Sequence, residues 1–336
     1  MQTKLRWGIL STAKIGLEHV IPAMQRGQLT TVTAIASRDL AKARQAASKL
    51  NIPTTYGSYE ELLADPAIDA IYNPLPNHLH VPWTAKAAEA GKHVLCEKPL
   101  SLTAAEAETL LVVRARTGVQ IAEAFMVNCH PQWQRVRALL DTERIGELRA
   151  ISGVYSYFNN DPANVRSKVE WGGGGLLDIG CYLIHLSRYA FRHEPRRVAG
   201  LIDRDPQLGI DRLTSALLDF PGGHAAFICS TQLIPHQQIQ ILGTLGCITL
   251  EIPINALPDQ PARLTIDSSG ELRGTGITTE SFPVCDQYTL QGDAFAKAVF
   301  EGAPVPVPLE DSIQNMAVIE AIFKSAESGQ WEPLPR

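Results

Sequence analysis

A chain of 336 residues is long for a single hydrophobic core and suits two domains. With 45% hydrophobic and 19% charged residues it is globular rather than disordered, and a net charge of -5 argues against nucleic acid as the main partner. No run is long and apolar enough to span a bilayer, and residues 1–7 lack the apolar stretch of a secretory signal, so the sequence reads as that of a cytoplasmic protein.

The first half alternates strand and helix. Residues 6–11 read as a short buried strand, and a turn at 12–16 leads into a helix carrying Val20, Ile21 and Met24. Residues 31–37 read as a second strand, 39–50 as a helix and 54–56 as a brief third strand. Ser58 is placed to cap a helix over 59–64. A fourth strand follows at 68–75, then a helix at 81–90 stopped by Gly91 and a fifth strand at 94–96. A helix over 103–116, closed by Gly118, and a sixth strand at 119–125 complete this half. The pattern predicts a parallel sheet with right-handed crossovers and helices on both faces, a Rossmann domain over 1–125.

The turns of that half carry candidate cofactor residues. In the first, Ser11, Ala13 and Gly16 occupy the positions of a G-x-G-x-x-G fingerprint, with only the last glycine kept. The Ser11 and Thr12 hydroxyls can donate to phosphate oxygens, and Ala13 and Ile15 lie along the same turn; an ordinary strand-to-helix turn is the alternative. The second strand ends in Ser37-Arg38-Asp39 rather than in an acidic residue placed for a ribose. Arg38 offers a guanidinium to a 2′-phosphate with Ser37 as a second donor, while Asp39 suits the cap of the next helix. This end favours NADP over NAD, with NAD still possible. After the fourth strand, Asn77 and His80 are candidates to line the cofactor groove, a helix cap or surface position being the alternative.

The fifth strand ends in Cys96-Glu97-Lys98-Pro99, where proline forbids further pairing. A lysine at the carboxyl end of a buried strand is costly unless paired or used, and open parallel sheets hold ligands at that end. Glu97 and Lys98 are therefore site candidates.

Beyond residue 125 the pattern changes. Residues 126–133 lead into a helix ending at Leu140, and alternating strands follow at 149–158, 197–203, 213–220, 224–232 and 238–242. Gly222-Gly223 marks a hairpin turn. A second domain over 126–336 with a large, mostly antiparallel open sheet is expected, closed by a helix over 309–327. Within it, Trp171 is followed by four glycines and a helix bearing Asp178, Tyr182 and His185 on one face. Such a helix suits a catalytic wall; an N-cap aspartate with a buried Tyr and His is the alternative. The aromatics Phe125, Trp133, Tyr155, Tyr157, Phe158 and Trp171 could line an apolar pocket or belong to the core. Six cysteines are scattered without CxxC spacing, so no metal site is expected.

Glu97-Lys98-Pro99, the Asn77…His80 segment and the glycine run leading to Asp178-x-x-x-Tyr182 together resemble the glucose–fructose oxidoreductase/inositol dehydrogenase (Gfo/Idh/MocA) family over essentially the whole chain. Tyr182, four residues after Asp178, resembles the branch of NADP-linked D-xylose (aldose) dehydrogenases and dimeric dihydrodiol dehydrogenase. Asn128 stands where many relatives carry an arginine. The resemblance implies an N-terminal Rossmann domain, a C-terminal α/β domain, a Lys98–Pro99 peptide that is often cis, and a homodimer or homotetramer built on the open sheet. It implies reversible hydride transfer between a nicotinamide and a sugar or polyol. Tyr182 would be the acid/base, its ordinary pKa of about 10 lowered by the Lys98 ammonium. Lys98 would also donate to the substrate hydroxyl, Glu97 would orient Lys98, and Asp178, His185 and Trp171 would bind substrate. Keto-sugar or dicarbonyl reduction, trans-dihydrodiol oxidation, and a non-catalytic NADP-binding regulator are the alternatives.

Overall fold

The structure, a computed structural model, describes residues 4–272 and 274–334. The chain divides into two compact units, the first running to Cys129 and taking in Asp286–Ile313, the second comprising His130–Cys285 and the chain from Gln314 onward.

In the first unit, β1 (Leu5–Leu10), β2 (Thr30–Ala36), β3 (Thr54–Tyr56), β4 (Ala70–Asn73), β5 (His93–Cys96) and β6 (Ile121–Glu123) form one parallel sheet. Its order is β3-β2-β1-β4-β5-β6, so the order of winding, not the strand direction, reverses between β1 and β4. A doubly wound sheet of this order takes its ligand at the strands' carboxyl ends, at that reversal. Neighbouring residues along each strand face opposite sides. Trp7, Ile9, Ile35 and Tyr72 enter one core, and Leu10, Ala36, Ile71 and Val94 the other. Both faces are covered, which is why these strands read as continuous apolar runs.

Helices α1 (Ile21–Arg26), α2 (Leu40–Leu50), α3 (Tyr59–Ala64), α4 (His80–Glu89) and α5 (Ala104–Thr117) supply the crossovers. Their ends follow from local chemistry. Ser58 Oγ accepts from Glu61 N–H at 3.1 Å, Thr103 Oγ1 from Glu106 N–H at 3.1 Å, and Gly118 closes α5 at φ 72.

One helix lies outside the sequence reading. Gln287–Glu301 is helical and belongs to the first unit, where the sequence placed it in the second domain. Asp286 caps it, accepting from Tyr288 N–H at 2.9 Å, and Gly302 ends it at φ 63. Its attachment is tertiary: Phe295 packs on Trp7 with ring centroids 5.2 Å apart, and neither ring is exposed.

The second unit is built on β7 (Leu148–Phe158), β8 (Arg197–Arg204), β9 (Asp211–Phe220), β10 (Gly223–Ser230), β11 (Gln232–Gly243), β12 (Cys247–Leu250), β13 (Arg263–Asp267), β14 (Ile277–Ser281) and β15 (Glu332–Pro333). They pair in the order β14-β13-β12-β11-β7-β10-β9-β8-β15. Among the described residues only β7 and β10 pair in parallel, so the sheet is mostly antiparallel. β11 extends well before the expected residue 238, because its register shifts between Gln232 and His236 and so accommodates Pro235, which has no N–H to donate. β12 to β15 were not expected from the sequence.

On one face of the sheet lie α6 (Pro131–Asp141) and α7 (Cys181–Phe191). A Cβ at Gly153 of β7 would come within 2.9 Å of Leu183 Cδ2, so the missing side chain lets α7 approach. The other face is open over β7 to β10, with Leu201, Leu217 and Ile228 exposed. Among the described residues, no helix is long and apolar enough to cross a membrane.

Candidate active site

The first unit contributes its strand ends. At the end of β1, Ser11 adopts φ 68, the left-handed region the fingerprint reserves for glycine. Its Oγ accepts from Ala13 N–H at 3.2 Å, which closes the turn. Ala13 O in turn accepts from Leu17 N–H at 3.1 Å. Thr12 is half-buried, and Ile15 packs on the core below. A π turn, Gly16–Val20, precedes α1. A Cβ at Gly16 would meet the Tyr72 ring at 3.7 Å and the Ile21 and Pro74 side chains at 3.8 Å, all ordinary contacts, so bulk alone does not require that glycine.

At the end of β2, Asp39 is the cap of α2, its Oδ1 accepting from Ala41 N–H at 3.0 Å and Lys42 N–H at 3.3 Å. Ser37 is buried and its Oγ accepts from Asp39 N–H at 3.2 Å. Arg38 is exposed. Burial raises the nearby Tyr59 phenol, and the Arg38 guanidinium acts against that rise.

At the end of β4 the reading changes. Asn77 opens a short 3-10 turn, Asn77–Leu79, and is half-buried. His80 does not line a groove: it is 1% exposed, with Nδ1 2.7 Å from Pro99 O and Nε2 2.6 Å from Leu75 O. Burial pushes its imidazole down to about 4, against the upward pull of those carbonyls. Its role is to brace the Pro99 strand end. The Lys98–Pro99 peptide is cis. Glu97 Oε1 accepts from Tyr72 O–H at 2.6 Å, and Glu123 Oε1 accepts from Leu100 N–H at 2.8 Å, so the Glu97–Leu100 segment is held from β4 and β6.

The second unit contributes the helix after the glycine run. It begins as a π turn, Leu176–Gly180, and continues as α7. Asp178, Tyr182 and His185 are 7%, 5% and 3% exposed. Asp178 Oδ2 takes Arg166 Nε–H at 2.8 Å and Tyr157 O–H at 2.5 Å. The Tyr182 ring lies edge-on to Tyr155, centroids 6.1 Å apart, and Tyr155 Oη accepts from Asn255 Nδ2 at 2.6 Å. Trp171 ends a 3-10 turn, Val169–Trp171, and is 37% exposed.

The glycines serve packing around this helix. At Gly174, φ is 116 and a Cβ would fall 1.8 Å from Asp211 Oδ1; at Gly173 it would fall 2.4 Å from Arg166 O. Asp211, 1% exposed, accepts from Leu176 N–H at 2.6 Å and Thr214 O–H at 3.2 Å, and so anchors the first residue of the π turn. Burial raises its carboxyl to about 6. Tyr72, Arg166 and Asp211 escaped the sequence reading because their partners lie 25, 12 and 35 residues away. Tyr157 entered it only as an aromatic.

The model of the oxidoreductase family with an NAD-binding Rossmann fold matches residues 5–125, and that of the GFO/IDH/MocA C-terminal domain matches residues 133–249. The chain belongs to the GFO/IDH/MocA family. It is an NAD(P)-dependent oxidoreductase. An uncharacterized oxidoreductase of Rhizobium meliloti is 47% identical over 329 residues, 98% of each chain. A D-xylose 1-dehydrogenase (NADP(+)) of Haloferax volcanii is 38% identical over 327 residues, covering 97% of this chain and 98% of the relative. Among solved structures, a 3-ketoreductase from Actinomadura kijaniata in complex with NADP and TDP-benzene superposes with a TM-score of 0.87. It is 28% identical and covers 96% of this chain and 98% of its own.

Proposed function

We propose that this GFO/IDH/MocA enzyme is NADP(H)-dependent and interconverts a hydroxyl and a carbonyl on a sugar or related polyol, in the manner of an aldose 1-dehydrogenase. The observation that carries the reading is the wall of the second unit. A tyrosine, Tyr182, shares a helix with Asp178, a carboxylate fixed by Arg166 and Tyr157. A phenol beside a fixed carboxylate supports this reading, because a hydroxylated substrate needs a proton-transfer group and a rigid polar anchor. NADP is supported by the end of β2, where Asp39 is spent on capping α2 and Arg38 stands exposed for a phosphate. The similarity to an NADP-linked D-xylose dehydrogenase over nearly the full length points the same way.

Ser11, Thr12, Ala13, Ile15, Ser37, Arg38, Asn77, Glu97 and Lys98 would hold the dinucleotide, which when bound supplies the hydride acceptor or donor. Tyr182 takes the hydroxyl proton in oxidation and returns it in reduction. Lys98 is assigned as a donor to a substrate hydroxyl. Asp178 fixes the substrate's orientation, with Trp171 and His185 contributing to its binding. The apolar outer face of the sheet, with Leu201, Leu217 and Ile228 exposed, supports a homodimer or homotetramer in which a second copy covers it.

The test is nicotinamide absorbance with NADP⁺ and, separately, NAD⁺ across aldoses, inositols and dihydrodiols. Lys98→Met and Tyr182→Phe are expected to lose most turnover while still binding NADPH; near-native turnover in either removes the assignment. A second reading, reduction of a keto-sugar, uses the same residues in reverse and is supported by the similarity to the 3-ketoreductase. NADPH oxidation by keto-sugars, with no reduction of NADP⁺ by any alcohol, selects it.

A further inference from the structure

Arg166 is held in place on three sides. Its backbone N–H donates to Asn164 Oδ1 at 3.0 Å, and its carbonyl accepts from Gly174 N–H at 3.0 Å. The absence of a side chain at Gly173 lets the glycine run close against that carbonyl. The side chain is fixed at one point, Nε to Asp178 Oδ2 at 2.8 Å. No hydrogen bond among the described residues takes Nη1 or Nη2. The Arg166 side chain is 43% exposed, whereas that of Asp178 is only 10% exposed. A guanidinium presents its donors as a rigid planar fork, so locking Nε aims the two terminal nitrogens together. The same loop also exposes Val165, Val169 and Trp171, apolar and aromatic side chains of the kind that cover the C–H faces of a sugar.

We propose that Arg166 is a substrate-specificity residue whose two terminal nitrogens donate to adjacent hydroxyl oxygens of a neutral sugar or polyol. The proposal rests on the functional reading above, in which the helix of Asp178 and Tyr182 faces substrate. Asp178 neutralises the guanidinium, so the pair offers donors without net positive charge. An anionic sugar would gain little from such a pair and would bring its charge toward the Asp178 carboxylate. A neutral diol gains two hydrogen bonds from a preorganised fork and meets no repulsion. Asp178 then works largely through Arg166, which it aims.

The experiment compares wild type, Arg166→Gln and Arg166→Lys with the preferred sugar, each of its monodeoxy analogues and the matching uronate. Thermal melting and NADPH binding are measured on every protein. Wild type is expected to discriminate against the deoxy analogues lacking either of two neighbouring hydroxyls. Arg166→Gln is expected to raise KM about 10- to 100-fold, the range for charge-assisted hydrogen bonds, and to erase that discrimination while NADPH binding is retained. Arg166→Lys keeps the charge beside Asp178 but not the fork, so it is expected to melt near wild type and still lose the two-hydroxyl discrimination. It decides the matter if Arg166→Gln does not fold. An active wild type whose variants keep KM and discrimination unchanged overturns this inference alone. A uronate preferred by wild type and lost in Arg166→Gln overturns the neutral class. A wild type inert toward every alcohol and keto-sugar overturns the functional reading and this inference with it.

Discussion

Asp211 couples pH to the helix that carries Asp178 and Tyr182. Its carboxyl is 1% exposed and burial holds it near 6, against an ordinary value of 3.8. A carboxyl whose folded value lies above its unfolded one binds its proton more tightly in the folded chain. Its contribution to stability is therefore greatest below about 3.8 and is lost as pH rises through about 6. Linkage puts the loss at roughly 3 kcal/mol. Asp211→Asn removes the titration while an amide oxygen can still accept from Leu176 N–H and Thr214 O–H. The assay is the denaturant midpoint of both proteins from pH 4 to 7.5. The stability difference between them is expected to move by about 2.4 kcal/mol in favour of Asn across that range, nearly all of it below pH 7. Parallel profiles would refute the reasoning, since they would mean that Asp211 ionises as an ordinary carboxyl or that its anchoring bonds carry no weight.

Three further outcomes are expected. Ser11→Gly and Ser11→Ala both remove the hydroxyl, yet the alanine variant should be less stable by about 1 kcal/mol in equilibrium unfolding, because only glycine relaxes at φ 68. Gly174→Ala places a Cβ 1.8 Å from Asp211 Oδ1 at φ 116 and should cost about 3 kcal/mol or more, whereas Gly16→Ala, with its nearest contact at 3.7 Å, should melt near wild type. Arg38→Ala should lower kcat/KM for NADP⁺ about 10- to 100-fold and leave that for NAD⁺ nearly unchanged; an equal fall for both would remove Arg38 as the phosphate reader.

Much of the first unit is legible as sequence because its signals are local. Ser58, Thr103 and Asp39 cap the helices they precede, and Gly118 ends the one before it. Apolar runs over β1, β2, β4 and β5 report strands buried on both faces. The same holds for β7 to β10, where alternation marks a sheet with one covered face. The limits appear where a residue's role depends on a partner far along the chain. His80 carries the residue type and position of a groove histidine, yet two carbonyls, Pro99 O and Leu75 O, draw it inside. The helix Gln287–Glu301 bears both of its end signals, but its membership of the first unit shows only in tertiary contacts such as Phe295 on Trp7 and Asp293 on Leu29 N–H.

The sequence by itself determined the class of fold, the parallel and antiparallel halves, the strand-end lysine and the glycine-led helix with its aspartate and tyrosine. Each follows from hydrophobic period, capping residues or turn chemistry within a few positions. Tertiary structure alone decided what holds those groups. It set Arg166 and Tyr157 on one oxygen of Asp178, Tyr72 on Glu97, and buried Asp211 under Gly174. The reason is physical: the energy of a buried charge or a close backbone approach depends on which atoms lie within a few ångströms, and folding draws those atoms from distant parts of the chain.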